Sequence, residues 1–182
     1  MAGLTHSIVG ALLIAALNTL GDFVWARFIP AHQPVYGLTH GTLLCLGIGL
    51  YLGVLRRLAA RGAIAGALIG FSAAGGYYLL ARLMGYSAMF LLWMTLWAAF
   101  GLLHGLGLGA PRSSVGAALG RGALAAIGSG AAFYAVSGIW QRSPAGVGDY
   151  AYHFVCWTIA FLPGFLALLA TNRRELARDA AR

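Results

Sequence analysis

Lysine is missing from this 182-residue chain, and its acids number only four: Asp22, Asp149, Glu175 and Asp179. Charged residues of every kind reach 9%, where a soluble domain carries roughly a quarter. That scarcity excludes a water-soluble globule, because too little polar surface exists to wrap one. Only two cysteines occur, Cys45 and Cys156, both inside apolar runs. They exclude a disulfide framework and read as small buried apolar residues. Ten-residue segments of alternating polarity are missing, which excludes a transmembrane β-barrel. No carboxylate stands at metal-ligand spacing beside a histidine, and neither a P-loop nor a dinucleotide fingerprint occurs. No metal, cofactor or catalytic constellation is therefore expected.

What remains is apolar: hydrophobic residues make up 60% of the chain, and glycine occupies 27 positions. A hydrocarbon core about 30 Å thick needs roughly 20 apolar residues of helix. Six stretches meet that length: Leu4–Phe23, Val35–Leu55, Ala63–Leu83, Ser87–Leu108, Arg121–Trp140 and Tyr150–Ala170. The expected fold is all-α, a single six-span transmembrane bundle over residues 1–182 with a basic tail at 172–182. No basic residue precedes the first stretch and no A-x-A site follows it, so it reads as a retained helix and not a signal peptide.

All twelve basic residues are arginines, giving a net charge of +8. They cluster at Arg56, Arg57 and Arg61 and again at Arg173, Arg174, Arg178 and Arg182, flanking uncharged runs. That pattern orients membrane spans and does not form a nucleic-acid groove. The loops after spans two and four, with the tail, hold nine arginines, including Arg112 and Arg121; the other side holds Arg27, Arg82 and Arg142. The positive-inside rule then puts both termini in the cytoplasm. Trp25, Tyr36, Tyr77, Tyr78, Tyr86, Trp140, Tyr150 and Tyr152 fall near the opposite interface as an aromatic belt. Arginine-only basic usage with abundant Ala and Gly points to a high-GC bacterium, hence to an inner membrane.

Small residues recur every fourth position at Gly62, Gly66, Gly70 and Ala74, and at Gly101, Gly105 and Gly109. Such stripes let helix backbones approach closely in lipid. Pro163 sits inside span six, where it removes a hydrogen bond and kinks the helix or is accommodated by neighbours. The repeated Gly-Leu-Thr-His at Gly3–His6 and Gly37–His40 does not occupy corresponding positions, so it reads as coincidence and not as an inverted repeat.

Ionisable groups inside spans are costly and mark candidate sites. At the outer ends lie Asp22, His40, Asp149 and His153, with His32 in the first loop. Asn18 and Asp22 share a helix face, as do His153, Cys156 and Trp157. The functional reading is a polar pocket in the outer half of the membrane, with Asp22 paired to His40 and Asn18 one turn deeper. The bland reading is that the aspartates are wet at the interface and the histidines snorkel. His40 and His153 also have the depth for a bis-histidine haem. Ile127-Gly128-Ser129-Gly130 approximates a rhomboid G-x-S-G without its first glycine, and with no base in reach of Ser129 it reads as a packing segment.

Trp97 followed by Gly105-Leu106-Gly107-Leu108-Gly109 resembles the Trp and GLGLG of the Insig family, the insulin-induced gene proteins, at matching spacing. Gly138-Ile139-Trp140-Gln141-Arg142-Ser143-Pro144 resembles that family's G-V-Y-Q-Y-T-S-P with one residue deleted. A proline-bearing last helix followed by Asn172 and Arg174 is also similar. The resemblance covers about half of the chain. It implies six spans with cytoplasmic termini, a sterol or similar lipid held among the helices, and engagement of another membrane protein. Trp97 is a pocket-lining candidate by this resemblance alone. Two departures stand out: Ala145 replaces the family's acid after Ser-Pro, with Asp149 four residues on, and Phe71–Gly76 replaces a polar Asn-His stretch.

The expected protein is a non-enzymatic lipid sensor or adaptor, with Trp97, Asn18, Asp22, His40, Tyr134, Asp149 and His153 as candidate ligand-binding residues. Its expected partners are a membrane lipid and a further membrane protein, with no nucleic acid. The alternatives are a small transporter or flippase, and a haem or quinone redox subunit.

Overall fold

The computed structural model describes residues 2–28, 34–108, 114–138 and 146–169. Six helices long and apolar enough to span a membrane make this an integral membrane protein, with no strand among the described residues. They are α1 (Ala2–Phe28), α2 (Pro34–Leu55), α3 (Ala59–Met84), α4 (Ser87–Leu102), α5 (Val115–Val136) and α6 (Val147–Leu169). A π-helical turn, Leu103–Gly107, continues α4. The tail at 172–182, His32, Gly109, Arg112 and the segment 139–145, with Trp140 and Arg142, lie outside the described residues.

The largest departure from the expected spans is α5, which starts six residues before Arg121 and ends at Val136. Its start is set by Ser114, whose side chain accepts a hydrogen bond from the Ala117 N–H at 3.1 Å. A serine N-cap satisfies one of the donors that the first turn leaves open. Arg121 is consequently inside a helix and not in a loop.

Neighbouring helices pack in chain order, and α6 returns to α1, so the six form a ring. The α1–α2 seam is the sparsest and the α2–α3 seam the densest. On α2, Gly41, Cys45, Gly49 and Gly53 face Gly62, Gly66, Gly70 and Ala74 of α3. A Cβ at Gly66 would overlap the Cys45 carbonyl, and one at Gly62 or Gly70 would overlap the Gly49 or Gly41 carbonyl. Cys45 is thus a small residue in a glycine seam, and both cysteines are free and buried. On the far side of the ring Gly101 meets Gly122 backbone to backbone.

Proline 163 sits in an unbroken α6. Gly128 of α5 leaves room for its ring, and the Ser129 hydroxyl donates to the Ala160 carbonyl at 2.6 Å, one turn before it. Lipid-facing positions such as Leu13, Ile64, Leu68, Leu79 and Ile127 are exposed all around the bundle. With apolar residues on every side, the helices are sorted by small-residue packing and polar contacts and not by an amphipathic face.

Candidate functional site

All six helices enclose a cavity of about 420 Å³ at the end of the bundle that carries His40. Its apolar wall is aromatic and aliphatic: Trp93, Trp157, Phe133, Met89, Leu92 and Leu96. Trp93 stacks on Phe133 with centroids 4.4 Å apart, and Trp157 lies 6.0 Å from Trp93 in a nearly parallel plane. The Trp93 ring is pinned because its Nε1–H donates to Ser129 Oγ at 2.8 Å, and Ser129 in turn donates to Ala160. Ser129 therefore spends its only proton on a carbonyl, with no base attached. It positions the wall.

The polar side of the cavity comes from α1 and α2. Asn18 and Asp22 stand one turn apart on α1, as the spacing requires. Asp22 Oδ2 is bonded to His153 Nδ1 at 2.7 Å and accepts from Trp157 Nε1 at 2.7 Å. His40 Nε2 lies 2.8 Å from Asn18 Oδ1. The expected Asp22–His40 pair is thus corrected. Because α1 packs extensively on α6 and barely on α2, the Asp22 carboxylate turns to His153 and Trp157, themselves four apart on α6. Asn18, one turn away, is the residue that meets His40.

Asn18 Oδ1 can only accept, so His40 carries its proton on Nε2. The Asn18 side chain is fully buried, and its Nδ2 has no hydrogen-bond partner. The imidazole fits because position 21 is glycine; a Cβ there would overlap the His40 ring. Tyr36 closes this side by donating to the Gly21 carbonyl at 2.8 Å.

Three tyrosines of the expected interfacial belt, Tyr77, Tyr78 and Tyr86, line the cavity, and so does Trp25. The Tyr86 hydroxyl is buried without a partner. Burial, with Tyr77 beside it, pushes the Tyr86 pKa up to about 12, so it stays a protonated donor. Tyr152, by contrast, is exposed.

The candidate residues separate into two groups. Asn18, Asp22 and His40 line the cavity, and His153 stands buried behind Asp22. Trp97 is wholly buried but lies in the core beside the cavity, its ring against Gly164 and 5.5 Å from Phe165. Tyr134 is 69% exposed on the outside of α5. Asp149 is exposed in the first turn of α6, where it accepts the Gly146 N–H at 3.0 Å as a helix cap. Trp97, Tyr134 and Asp149 accordingly do not line this cavity.

Among the described residues no three His, Cys, Asp or Glu side chains gather as a metal-binding group. His40 Nε2 and His153 Nδ1 are turned to different partners, Asn18 and Asp22. No protein-family profile, curated protein or solved structure matches the chain.

Proposed function

We propose that the protein binds an amphiphilic, sterol-like lipid in the His40-end cavity and acts as a non-enzymatic lipid sensor or adaptor. The observation that carries this reading is the buried Asn18 Nδ2, an unpaired donor at the polar side of an otherwise apolar cavity. Leaving such a donor unmatched costs roughly 1–3 kcal/mol, which a ligand hydroxyl or carbonyl oxygen recovers. The cavity volume of about 420 Å³ falls within the roughly 300–1,000 Å³ of small-molecule pockets. The apolar body rests on Trp93, Trp157 and Phe133, and Tyr86 offers a second donor. The Insig-like motifs point the same way and add a second membrane protein as the listener.

In this reading the arginine-rich end faces the cytoplasm with both termini, and the cavity opens to the outer leaflet of a bacterial inner membrane. Native mass spectrometry after mild extraction should show a co-purifying lipid on the wild type and its loss from Asn18→Leu. Bare wild-type protein under those conditions would sink the proposal.

A second reading, a small transporter or flippase, is favoured by one feature: the Asp22–His153 pair beside the cavity offers an exchangeable proton. Reconstituted liposomes showing no lipid or solute flux, with or without a proton gradient, would remove it.

A further inference from the structure

Among the described residues that line the cavity, Asp22 is the only acid and no arginine accompanies it. Arg27 and Arg82, the described arginines of that end, are both exposed and stand outside it. The two hydrogen bonds to the carboxylate both fall on Oδ2, from His153 Nδ1 and Trp157 Nε1 at 2.7 Å each. A neutral imidazole and an indole are able to donate them, so neither bond requires a counter-charge. The Asp22 side chain keeps 22% of its surface, and that of His153 behind it keeps 5%. Asp22 lines the cavity and His153 does not. What this pair turns to a ligand is therefore the carboxylate, and Oδ1 is the oxygen left to bind one.

The carboxylate is flanked by tryptophans. Trp25 follows Asp22 by three residues on α1, hence on the same face, and lines the cavity with it. Its ring packs edge-on against Tyr36 with centroids 4.2 Å apart. Trp157 is held beside the carboxylate by the bond it donates. Trp93, Tyr77, Tyr78 and Tyr86 extend this aromatic lining. Indole and phenol faces attract an organic cation, most strongly where water is excluded. One turn deeper on the same helix stands Asn18 Nδ2, fully buried and without a partner.

We propose that the head of the cavity's occupant carries a cationic nitrogen, so that the site selects an alkylammonium amphiphile over a neutral or an acidic one. The inference rests on the reading of the cavity as a lipid site and adds the charge of the head. The ammonium group sits on Asp22 Oδ1 beside the Trp25 and Trp157 rings. An oxygen of the same head, about 5.4 Å deeper by the helix pitch, accepts from Asn18 Nδ2. The apolar chain lies along Phe133, Met89 and Leu96. A carboxylate within a membrane bundle commonly marks a counter-ion site of this kind.

The test uses the full chain in a neutral detergent at about pH 8, above the ordinary histidine range. It is titrated separately with hexadecylamine, hexadecyltrimethylammonium, hexadecanol and hexadecanoate, which share one chain and differ in the head, and read by native mass spectrometry and thermal shift. The net charge of +8 disfavours unspecific uptake of a cation. Both ammonium probes should bind about tenfold more tightly than hexadecanol, the effect of one bond to a charged group. Asp22→Asn, whose amide oxygen still accepts from His153 and Trp157, should abolish that preference and leave hexadecanol retention unchanged. Trp25→Leu should weaken the ammonium probes about threefold. Asp149→Asn, an exposed acid in the first turn of α6, should change neither and serves as the control for bulk charge. Equal retention of hexadecanol and the ammonium probes by the wild type, or stronger retention of hexadecanoate, overturns the charge of the head and leaves the lipid site standing. Retention of none of the four overturns both. An ammonium preference that survives Asp22→Asn, or that Asp149→Asn removes equally, also overturns the proposal. If Asp22→Asn fails to fold, the wild-type preference and Trp25→Leu decide.

Discussion

Helix α2 meets its two neighbours in opposite ways. Toward α3 it presents Gly41, Cys45, Gly49 and Gly53, and the backbones touch with only the small Cys45 and Ala74 side chains between them. Toward α1 it presents Tyr36, His40 and Tyr51, whose polar atoms reach across to Gly21, Asn18 and His6. The first seam is dry and dense, and only its His40 end, with Gly41, Cys45, Gly70 and Ala74, borders the cavity. The second is held by a few hydrogen bonds around a cavity, so its geometry depends on polar pairing. In a lipid solvent, where apolar burial between helices contributes little, these are the two available means of association. The polar groups of a ligand site belong to the second kind of seam, where hydrogen-bonding side chains meet the cavity.

The largest expected effect comes from filling the dry seam. Gly66→Leu puts a side chain where the Cys45 carbonyl already stands, and a single rotamer change cannot relieve a backbone clash. Separation of α2 from α3 should cost roughly 3 kcal/mol, at the upper end of overpacking penalties. Detergent thermal melts or the yield of monodisperse protein will read it. A variant as stable as the wild type would mean that the α2–α3 contact is not what holds the bundle.

A smaller effect is expected at the polar seam. Asp22→Leu strands the donors of His153 and Trp157, which both point at the lost Oδ2. The carboxyl is 22% exposed, so water reaches part of the site, and a loss of roughly 2 kcal/mol is expected for the unsatisfied groups. A double-mutant cycle sharpens the comparison. Asp22→Leu with His153→Leu should couple by about 1 kcal/mol, and Asp22→Leu with His40→Leu should be additive within about 0.5 kcal/mol. The reverse pattern would restore the Asp22–His40 pair.

How legible this was differs between the two seams. Six spans follow from hydropathy, because uncharged runs of helical length have few other uses. The shared face of Asn18 and Asp22 follows from a spacing of four. Which neighbour that face meets does not, since every helix is apolar all round and no local period records the order of the ring. Half of the dry seam was visible as Gly62, Gly66 and Gly70. Its partner stripe contains Cys45, which interrupts the glycine pattern while serving the same purpose. The start of α5 differs from the expected Arg121 because its Gly- and Ala-rich first turns carry no strong apolar signal, and Ser114 is identified as a cap only by its bond to Ala117. Tyr77, Tyr78 and Tyr86 have the composition of an interfacial belt. Which of them also line the cavity is a matter of helix rotation, which composition does not encode.

The smallest predicted effect has the opposite sign. Helix α2 ends in a Schellman-type turn, with the Leu58 N–H donating to the Gly53 carbonyl at 2.8 Å and the Arg57 N–H to Val54 at 3.1 Å. The residue in the left-handed position of that turn is Arg57, with φ 58°. Glycine usually occupies it, because a Cβ there crowds the following carbonyl at a cost of roughly 1–2 kcal/mol. Arg57→Gly removes that strain but gives the unfolded chain more freedom, an opposing cost of roughly 0.5–1 kcal/mol. The balance should be a gain of about 0.5 kcal/mol, seen as a slightly higher melting temperature. Because the turn closes the dry seam and not the cavity seam, lipid retention at the His40 end should not change. A fall in stability would show that the exposed Arg57 side chain makes a contribution larger than the strain it imposes. Altered lipid retention would show that the two seams of α2 are coupled through its length.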